Sequence, residues 1–288
     1  MQVQKSFKED SSYGTLYLVP TPIGNLADMT YRAIDTLRRV DVICAEDTRN
    51  TGLLLNHFEI KTRQMSFHEH NAFDKIPDLL DLLKSGKSLA QVSDAGMPSI
   101  SDPGHDLVKA AIEDKIPVVA LPGASAGITA LIASGIAPQP HLFYGFLPRK
   151  SSQQKAFFKD KYSYPETQIF YESPHRVVST LANMLDVYGD RQVTLVRELT
   201  KLYEEYQRGT ISELLAYLAD NPLKGECLLI VNGNDGSNPS EEEEALPPLD
   251  EVKEKIRAGI KPNQAIKSVA KERNLNRQDL YKSFHELD

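Results

Sequence analysis

Three observations predict an α/β chain with two sheet-forming halves and a small helical appendage. Before residue 138, apolar runs of strand length alternate with helical patterns, and the strand–loop–helix unit recurs about five times, which is the mark of a parallel sheet. Residues 139–233 hold several strand-like runs with only one or two helical patterns among them, which points to a mixed sheet. Residues 234–248 are Asn, Gly, Ser and Pro with four consecutive Glu, a linker with nothing to bury, and three short helical patterns follow it. The expected organisation is a polar, disordered lead-in over 1–13, an N-terminal α/β domain over 14–138 and a second α/β domain over 139–233. The linker over 234–248 then joins a helical, helix-turn-helix-like appendage over 249–288.

Each element has a local reason. Residues 14–19 form a short buried strand, and the turn after it carries Pro20, Pro22 and Gly24 rather than a G-x-G-x-x-G motif, which argues against a dinucleotide dehydrogenase. Ala33, Ile34 and Leu37 have helical spacing behind Thr30, a suitable cap. Residues 41–45 are a strand, Leu53, Leu54 and Leu55 belong to a short helix, and residues 65–67 are a strand tip. Ile76, Leu79, Leu80 and Leu83 line one face of a helix over 73–83. Residues 88–92, 117–121, 142–146, 167–171, 193–198, 203–208 and 226–232 read as strands, with helices over 107–112, from after Gly127 to Ser134, from Lys150 onward, and over 177–187. In the tail, Ala265, Ile266, Val269 and Ala270 share a face, and a break at Asn274-Leu275-Asn276 gives the helix-turn-helix outline.

Composition excludes several classes. With 288 residues and 41% hydrophobic residues, the chain can bury a real core. Its apolar runs are too short to span a bilayer, and its first residues lack the apolar segment of a signal peptide, so no membrane association and a cytoplasmic location are expected. The two Cys, Cys44 and Cys227, stand in apolar strands and are expected to be small buried hydrophobes rather than a disulfide or metal ligands. His68 and His70 lack the further Cys or His that a metal shell requires, so no metal is expected. The net charge of −7 excludes a uniformly basic nucleic-acid binder but not a local basic face. Such a face is offered by residues 261–282, where six Lys or Arg stand against two acids.

The segment Ser93-Asp94-Ala95-Gly96-Met97-Pro98-Ser99-Ile100-Ser101-Asp102-Pro103-Gly104 stands out. It lies between a strand and a helix, at the carboxyl edge where open α/β sheets bind ligands. Its glycines and prolines shape the backbone, and its two Asp are acceptors for a ribose, an amine or a hydroxyl. The segment resembles the signature of the ribosomal RNA small subunit methyltransferase I family, within the tetrapyrrole methylase superfamily. Four further segments resemble that family and stand in its order: residues 19–26, 45–49, 121–126 and 171–176. Together they cover residues 14–233.

The resemblance implies an enzyme that uses S-adenosyl-L-methionine, folded into a cleft between two domains, to methylate the ribose 2′-hydroxyl of a cytidine in the decoding region of 16S rRNA in the small ribosomal subunit. It also suggests a homodimer. Together with the carboxyl-edge position of the loops, it assigns cofactor contacts to Ile23, Gly24, Asp94, Ala95, Gly96, Ser99, Ile100, Ser125, Ala126, Tyr171, Gly225, Glu226 and Cys227. Tyr171 is equally a core aromatic, and Gly225 and Cys227 equally suit a plain strand. Glu172, Asp94 and His70, with Asp47, are candidate bases, whereas Glu46, Asp47 and Arg49 also suit a structural ion-pair group. Arg49, Arg149, Lys150, Arg176, Lys267, Lys271 and Arg277 are candidate RNA contacts. The competing expectations are a methylase of tetrapyrroles or other small molecules, and a non-catalytic RNA-binding protein built on the basic tail.

Overall fold

The computed structural model describes residues 1–6, 12–236, 247–273 and 275–285. Part of the expected lead-in, most of the expected linker and Asn274 of the expected tail break lie outside them. The chain divides into two compact units, Met1–Gly233 and Asn234–Asp288.

The first unit contains two five-stranded sheets. In the first, β1 (Leu16–Leu18), β2 (Val42–Ala45), β3 (Arg63–Ser66), β4 (Leu89–Val92) and β5 (Val118–Ala120) are all parallel, in the order β3-β2-β4-β1-β5. Its inner strands β2 and β4 are fully buried, because both faces are covered, whereas the edge strand β3 is polar. Val42, Cys44 and Leu89 bury one face against α3 (Ala72–Lys84) and α4 (Gly104–Glu113). Ile43, Ala45 and Ala90 bury the other against α1 (Tyr31–Arg39) and α2 (Thr48–His57). The period of two along β2 is thus split between two cores. Thr30 and Asp47 cap α1 and α2 by accepting backbone N–H groups from Ala33 and Arg49. Both cysteines are free and buried, and burial pushes each thiol up to about 12, so both behave as small hydrophobes. Gln4 donates to Val118 O and accepts from Val118 N, adding a side-chain rung to the edge strand β5.

The second sheet has the order β6-β7-β10-β8-β9. β6 (His141–Phe146) and β7 (Thr167–Glu172) are parallel; β10 (Cys227–Val231), β8 (Gln192–Arg197) and β9 (Glu205–Thr210) join antiparallel, so the sheet is mixed. Its outer face, with Phe170, Leu195 and Leu229, packs on α6 (Ser151–Asp160), α7 (Val177–Tyr188) and α8 (Ile211–Asp220). Its inner face, with Ile169, Val196, Leu228 and Ile230, packs on Ala130 and Leu131 of α5 (Ala126–Ser134). α5 therefore leaves the last strand of the first sheet and lies on the second.

One helix departs from expectation: α8 makes three helices in this half rather than one or two. Its signal was a capping box. The Thr210 side chain accepts the Glu213 N–H, and the Glu213 carboxylate accepts the Thr210 N–H. Leu214 and Leu218 then follow on the buried face. In the second unit, α9 (Pro248–Arg257), α10 (Pro262–Glu272) and α11 (Arg277–Phe284) enclose a small core of Val252, Ala265, Ile266, Val269, Ala270 and Leu280. Among the described residues, no helix is long and apolar enough to cross a membrane.

Because Thr210 satisfies one otherwise orphaned N–H of α8, Thr210→Ala is expected to cost about 1 kcal/mol, less than truncating a core Leu. A shift of the urea midpoint with an unchanged m-value would report it.

Candidate functional site

The loops leaving the carboxyl ends of β1, β2, β4 and β5 face the second sheet across a cavity of about 940 Å³, a ligand-binding size. The first sheet contributes Ile23, Glu46, Ser93, Ala95, Gly96, Met97, Ile100, Ser101, Asp102, Ser125 and Ala126. The opposite wall is Phe143, Phe146, Ile169, Tyr171, Glu172, Ser173, Pro174, His175, Val196, Glu198, Leu199, Lys201, Gly225, Glu226, Cys227 and Leu228.

The loop after β4 is held from beneath. Gln91, 1% exposed among Leu89, Ala90 and Val92 of β4, needs partners for its amide. Its Nε2 donates to Asp102 Oδ1 at 2.8 Å, and its Oε1 accepts from Ser99 Oγ at 3.1 Å. The Asp102 carboxylate also accepts the N–H groups of Ser99 (2.9 Å) and Gly104 (2.8 Å). Gly104 is required here: a Cβ would stand 2.3 Å from Gln91 Oε1 and 2.5 Å from Ser99 Oγ. Ser99 holds φ at +68°, a left-handed conformation that these bonds impose. Asp102, read from sequence as an acceptor for a ligand, is therefore the organiser of its own loop, and Ser99 faces the same knot.

Neighbouring loops are stitched to this one. Thr21 and Gly96 exchange backbone hydrogen bonds at 3.0 and 3.1 Å, and Thr21 Oγ1 donates to Ser93 O at 3.1 Å. The Asp94 carboxylate accepts from Asp47 N and from Asn50 Nδ2, each at 3.2 Å, tying the β4 loop to the start of α2. Gly123 lets the β5 loop lie against Pro20, where a Cβ would approach to 2.5 Å.

The opposite wall is aromatic at one end and charged at the other. Tyr171 meets Phe143 and Phe146 edge-on, with centroids at 5.1 and 5.5 Å. Burial pushes its phenol above the usual range, although the Gly127 N–H faces it. At the charged end, Lys201 Nζ donates to Glu198 Oε1 at 3.0 Å and to Glu226 Oε2 at 2.9 Å. Those bonds hold the Glu198 carboxyl below, and the Lys201 ammonium above, their usual ranges. Glu198 and Thr200 both have positive φ, +49° and +66°. For β-branched Thr200 that conformation is a true outlier, at a cost of order 1–3 kcal/mol.

Ile23, Ala95, Gly96, Ile100, Ser125, Ala126, Tyr171, Glu172, Gly225, Glu226 and Cys227 line the cavity; Gly24, Asp94 and Ser99 lie in the same loops but outside the lining. Glu172 is buried, and its carboxylate accepts from Ser173 N (2.8 Å), Thr180 Oγ1 (2.7 Å) and Arg176 Nη2 (3.3 Å). Arg176 Nη2 also donates to the carbonyls of Leu147 and Pro148, so its guanidinium points into the protein. His70 is exposed before α3, its ring 5.9 Å from that of His68, and does not line the cavity. Arg49 pairs with Asp47 at 2.7 Å and is 88% exposed. Arg149 and Lys150 are exposed before α6; Lys267 and Lys271 on α10 and Arg277 on α11 are exposed in the second unit. Glu198, Lys201, Phe143 and Phe146 were not foreseen. The available signal was Arg197-Glu198-Leu199-Thr200-Lys201, a charged run directly after a buried strand. Among the described residues, no group of three or more His, Cys, Asp or Glu is arranged to hold a metal ion.

The lining suits a ligand with apolar and hydrogen-bonding parts. Ile23, Met97, Ile100, Val196 and Leu228 supply apolar surface. Among the described lining residues Asp102 and Glu172 turn their carboxylates to the protein's own groups, and Lys201 pairs with Glu198 and Glu226, which leaves Glu46 as a lining carboxylate with no cation beside it.

Two outcomes follow from this geometry. Asp102→Ala removes the acceptor of Gln91 and of two loop amides, so amide exchange at Ser99 and Gly104 is expected to accelerate at least about tenfold, with hydrogen-exchange mass spectrometry as the readout. Burial first, and the neighbouring carboxylates second, raise the Glu46 carboxyl above its ordinary value. Below the ordinary carboxylate range Glu46 is protonated in both states and costs nothing. As pH rises the unfolded chain ionises first, and the penalty is complete above the raised folded value. Glu46→Gln is therefore expected to stabilise the fold by about a few tenths of a kcal/mol at neutral pH and to be neutral in acid, as read from denaturation at both pH values.

The tetrapyrrole (corrin/porphyrin) methylase family model matches residues 15–215. A relative from Streptococcus pyogenes serotype M1 called ribosomal RNA small subunit methyltransferase I is 71% identical over 100% of both chains. A relative of the same name from Bacillus subtilis (strain 168) is 48% identical over 98% of both. The crystal structure of uroporphyrin-III-C-methyltransferase from Thermus thermophilus superposes with a TM-score of 0.54 at 18% identity, covering 80% of this chain and 98% of that one, a likeness of fold. With its two-sheet architecture and its cleft at the carboxyl edge, the chain belongs to the tetrapyrrole methylases and, within them, to the ribosomal RNA small subunit methyltransferase I family.

Proposed function

We propose that the cleft binds S-adenosyl-L-methionine and that the protein methylates the 2′-hydroxyl of a cytidine in the decoding region of 16S rRNA. The observation that carries the proposal is the largely apolar cleft at the carboxyl edge of the first sheet, in a chain 71% identical to a ribosomal RNA small subunit methyltransferase I. When bound, the cofactor supplies a methyl group already activated on its sulfonium.

The protein's contribution is then orientation. Ile23, Ala95 and Gly96 form the floor, Ser125 and Ala126 present the start of α5, and residues 225–227 form the far wall. Phe143, Phe146 and Tyr171 offer an aromatic surface at one end. Glu172, whose oxygens already serve Ser173, Thr180 and Arg176, holds the turn after β7 rather than taking a proton. Asp94 joins the β2 and β4 loops, and His70 lies off the cavity, so in this reading no side-chain base acts; the hydroxyl proton passes to water as the methyl group's bond to sulfur is exchanged for one to the ribose oxygen, leaving a neutral thioether.

RNA phosphates are assigned to Arg149, Lys150, Lys267, Lys271 and Arg277, which are exposed. Arg49, neutralised by Asp47, and Arg176, turned to backbone carbonyls, contribute less. A homodimer acting on small subunits in the cytoplasm completes the reading.

Incubating the chain with methyl-labelled S-adenosyl-L-methionine and small-subunit particles is expected to place label on a cytidine ribose of 16S rRNA, located by primer extension. Label on the base instead of the ribose, or only on added small molecules, would overturn the acceptor. Asp94→Ala, which unties the β2 and β4 loops, is expected to weaken S-adenosyl-L-methionine binding about tenfold in calorimetric titration with little change in Tm.

A further inference from the structure

We propose that Lys201 is a positioning residue that clasps the two walls of the cleft and so sets the affinity for the methyl donor; this deepens the methyltransferase reading and rests on it.

Lys201 touches both halves of the first unit. Its ammonium bridges Glu198, just past β8, and Glu226, just before β10, at 3.0 and 2.9 Å. Its aliphatic stem lies over Gly24 in the loop after β1: a Cβ there would stand 2.6 Å from Lys201 Cγ and 2.8 Å from Cε. Gly24 leaves the room that the stem occupies. Glu198 in turn accepts the Glu226 N–H at 2.9 Å and underlies Gly225, where a Cβ would meet Glu198 Oε1 at 2.5 Å. The clasp thus orders the backbone of one wall and rests on the loop that carries Ile23 of the other.

Two simpler roles fit less well. A plain stabilising ion pair gains little at a partly exposed position, with the Glu226 side chain 81% exposed. Yet this one is carried on a loop with left-handed Glu198 and Thr200, a strain that persists where surrounding structure imposes it and that gathers at ligand clamps. An RNA-phosphate contact is disfavoured because two carboxylates flank the ammonium and repel an anion.

The test uses the full-length chain. Lys201→Ala is expected to raise the KM and the calorimetric Kd for S-adenosyl-L-methionine about tenfold while leaving the KM for small-subunit particles within about twofold. Lys201→Arg, which keeps the charge and a long stem, is expected to restore most of the affinity. If Lys201→Ala does not fold, Glu226→Gln decides, with a donor KM expected to rise about threefold. A folded Lys201→Ala with unchanged donor KM and Kd, a change confined to the RNA KM, or a Glu226→Gln enzyme with unaltered donor KM would each overturn the clasp. Absence of donor binding by the wild-type chain is a separate outcome, and it would sink the methyltransferase reading itself.

Discussion

A buried amide is the constraint on which the cleft depends. Gln91 sits in the second position from the end of a fully covered parallel strand, where an unpaired amide would be strongly unfavourable. Asp102 and Ser99 satisfy it, and the same carboxylate gathers two backbone N–H groups of the following loop. The loop therefore has one low-energy path. With its path set, Gly96 can pair with Thr21 and Asp94 can reach the start of α2, so three strand ends present one continuous rim.

The second constraint is the placement of α5. Chain order would let it cover the first sheet, as α1 to α4 do, yet Ala130 and Leu131 pack with Ile169, Val196, Leu228 and Ile230 of the second. Gly127, in the first turn of α5, lies close against Phe143 and Ile169 of the second sheet. The start of α5 is thereby held between the sheets, and Tyr171 comes to face the rim of the first. Catalysis by orientation requires such mutual fixing of two walls, because a small displacement between donor and acceptor costs rate steeply.

Charge is unevenly placed. Carboxylates border the cleft, most of them held by the protein's own groups, while exposed cations sit on α10, on α11 and before α6. A net charge of −7 does not exclude such local basic surfaces.

Much of the fold was legible from local rules. Buried strands announced themselves as short apolar runs, Thr30 marked the start of α1, and the glycine- and aspartate-bearing segment marked the rim of the cleft. α8 was legible too, through Thr210 and Glu213, but its signal was weaker than that of the strands around it. Residue types and spacing by themselves determined the alternation of elements, their caps and the segments that carry chemistry, because these depend on neighbours within a few positions. Only the tertiary structure decided that Asp102 turns inward to Gln91 rather than outward to a ligand, that the Glu172 and Arg176 side chains serve the protein itself, and that Lys201 reaches Gly24. Gln91, the Leu147 carbonyl and Gly24 lie eleven or more residues along the chain from Asp102, Arg176 and Lys201 respectively, and the partners of Glu172 lie on the following turn and helix, so in each case the partner is set by how the elements pack, which no local pattern encodes.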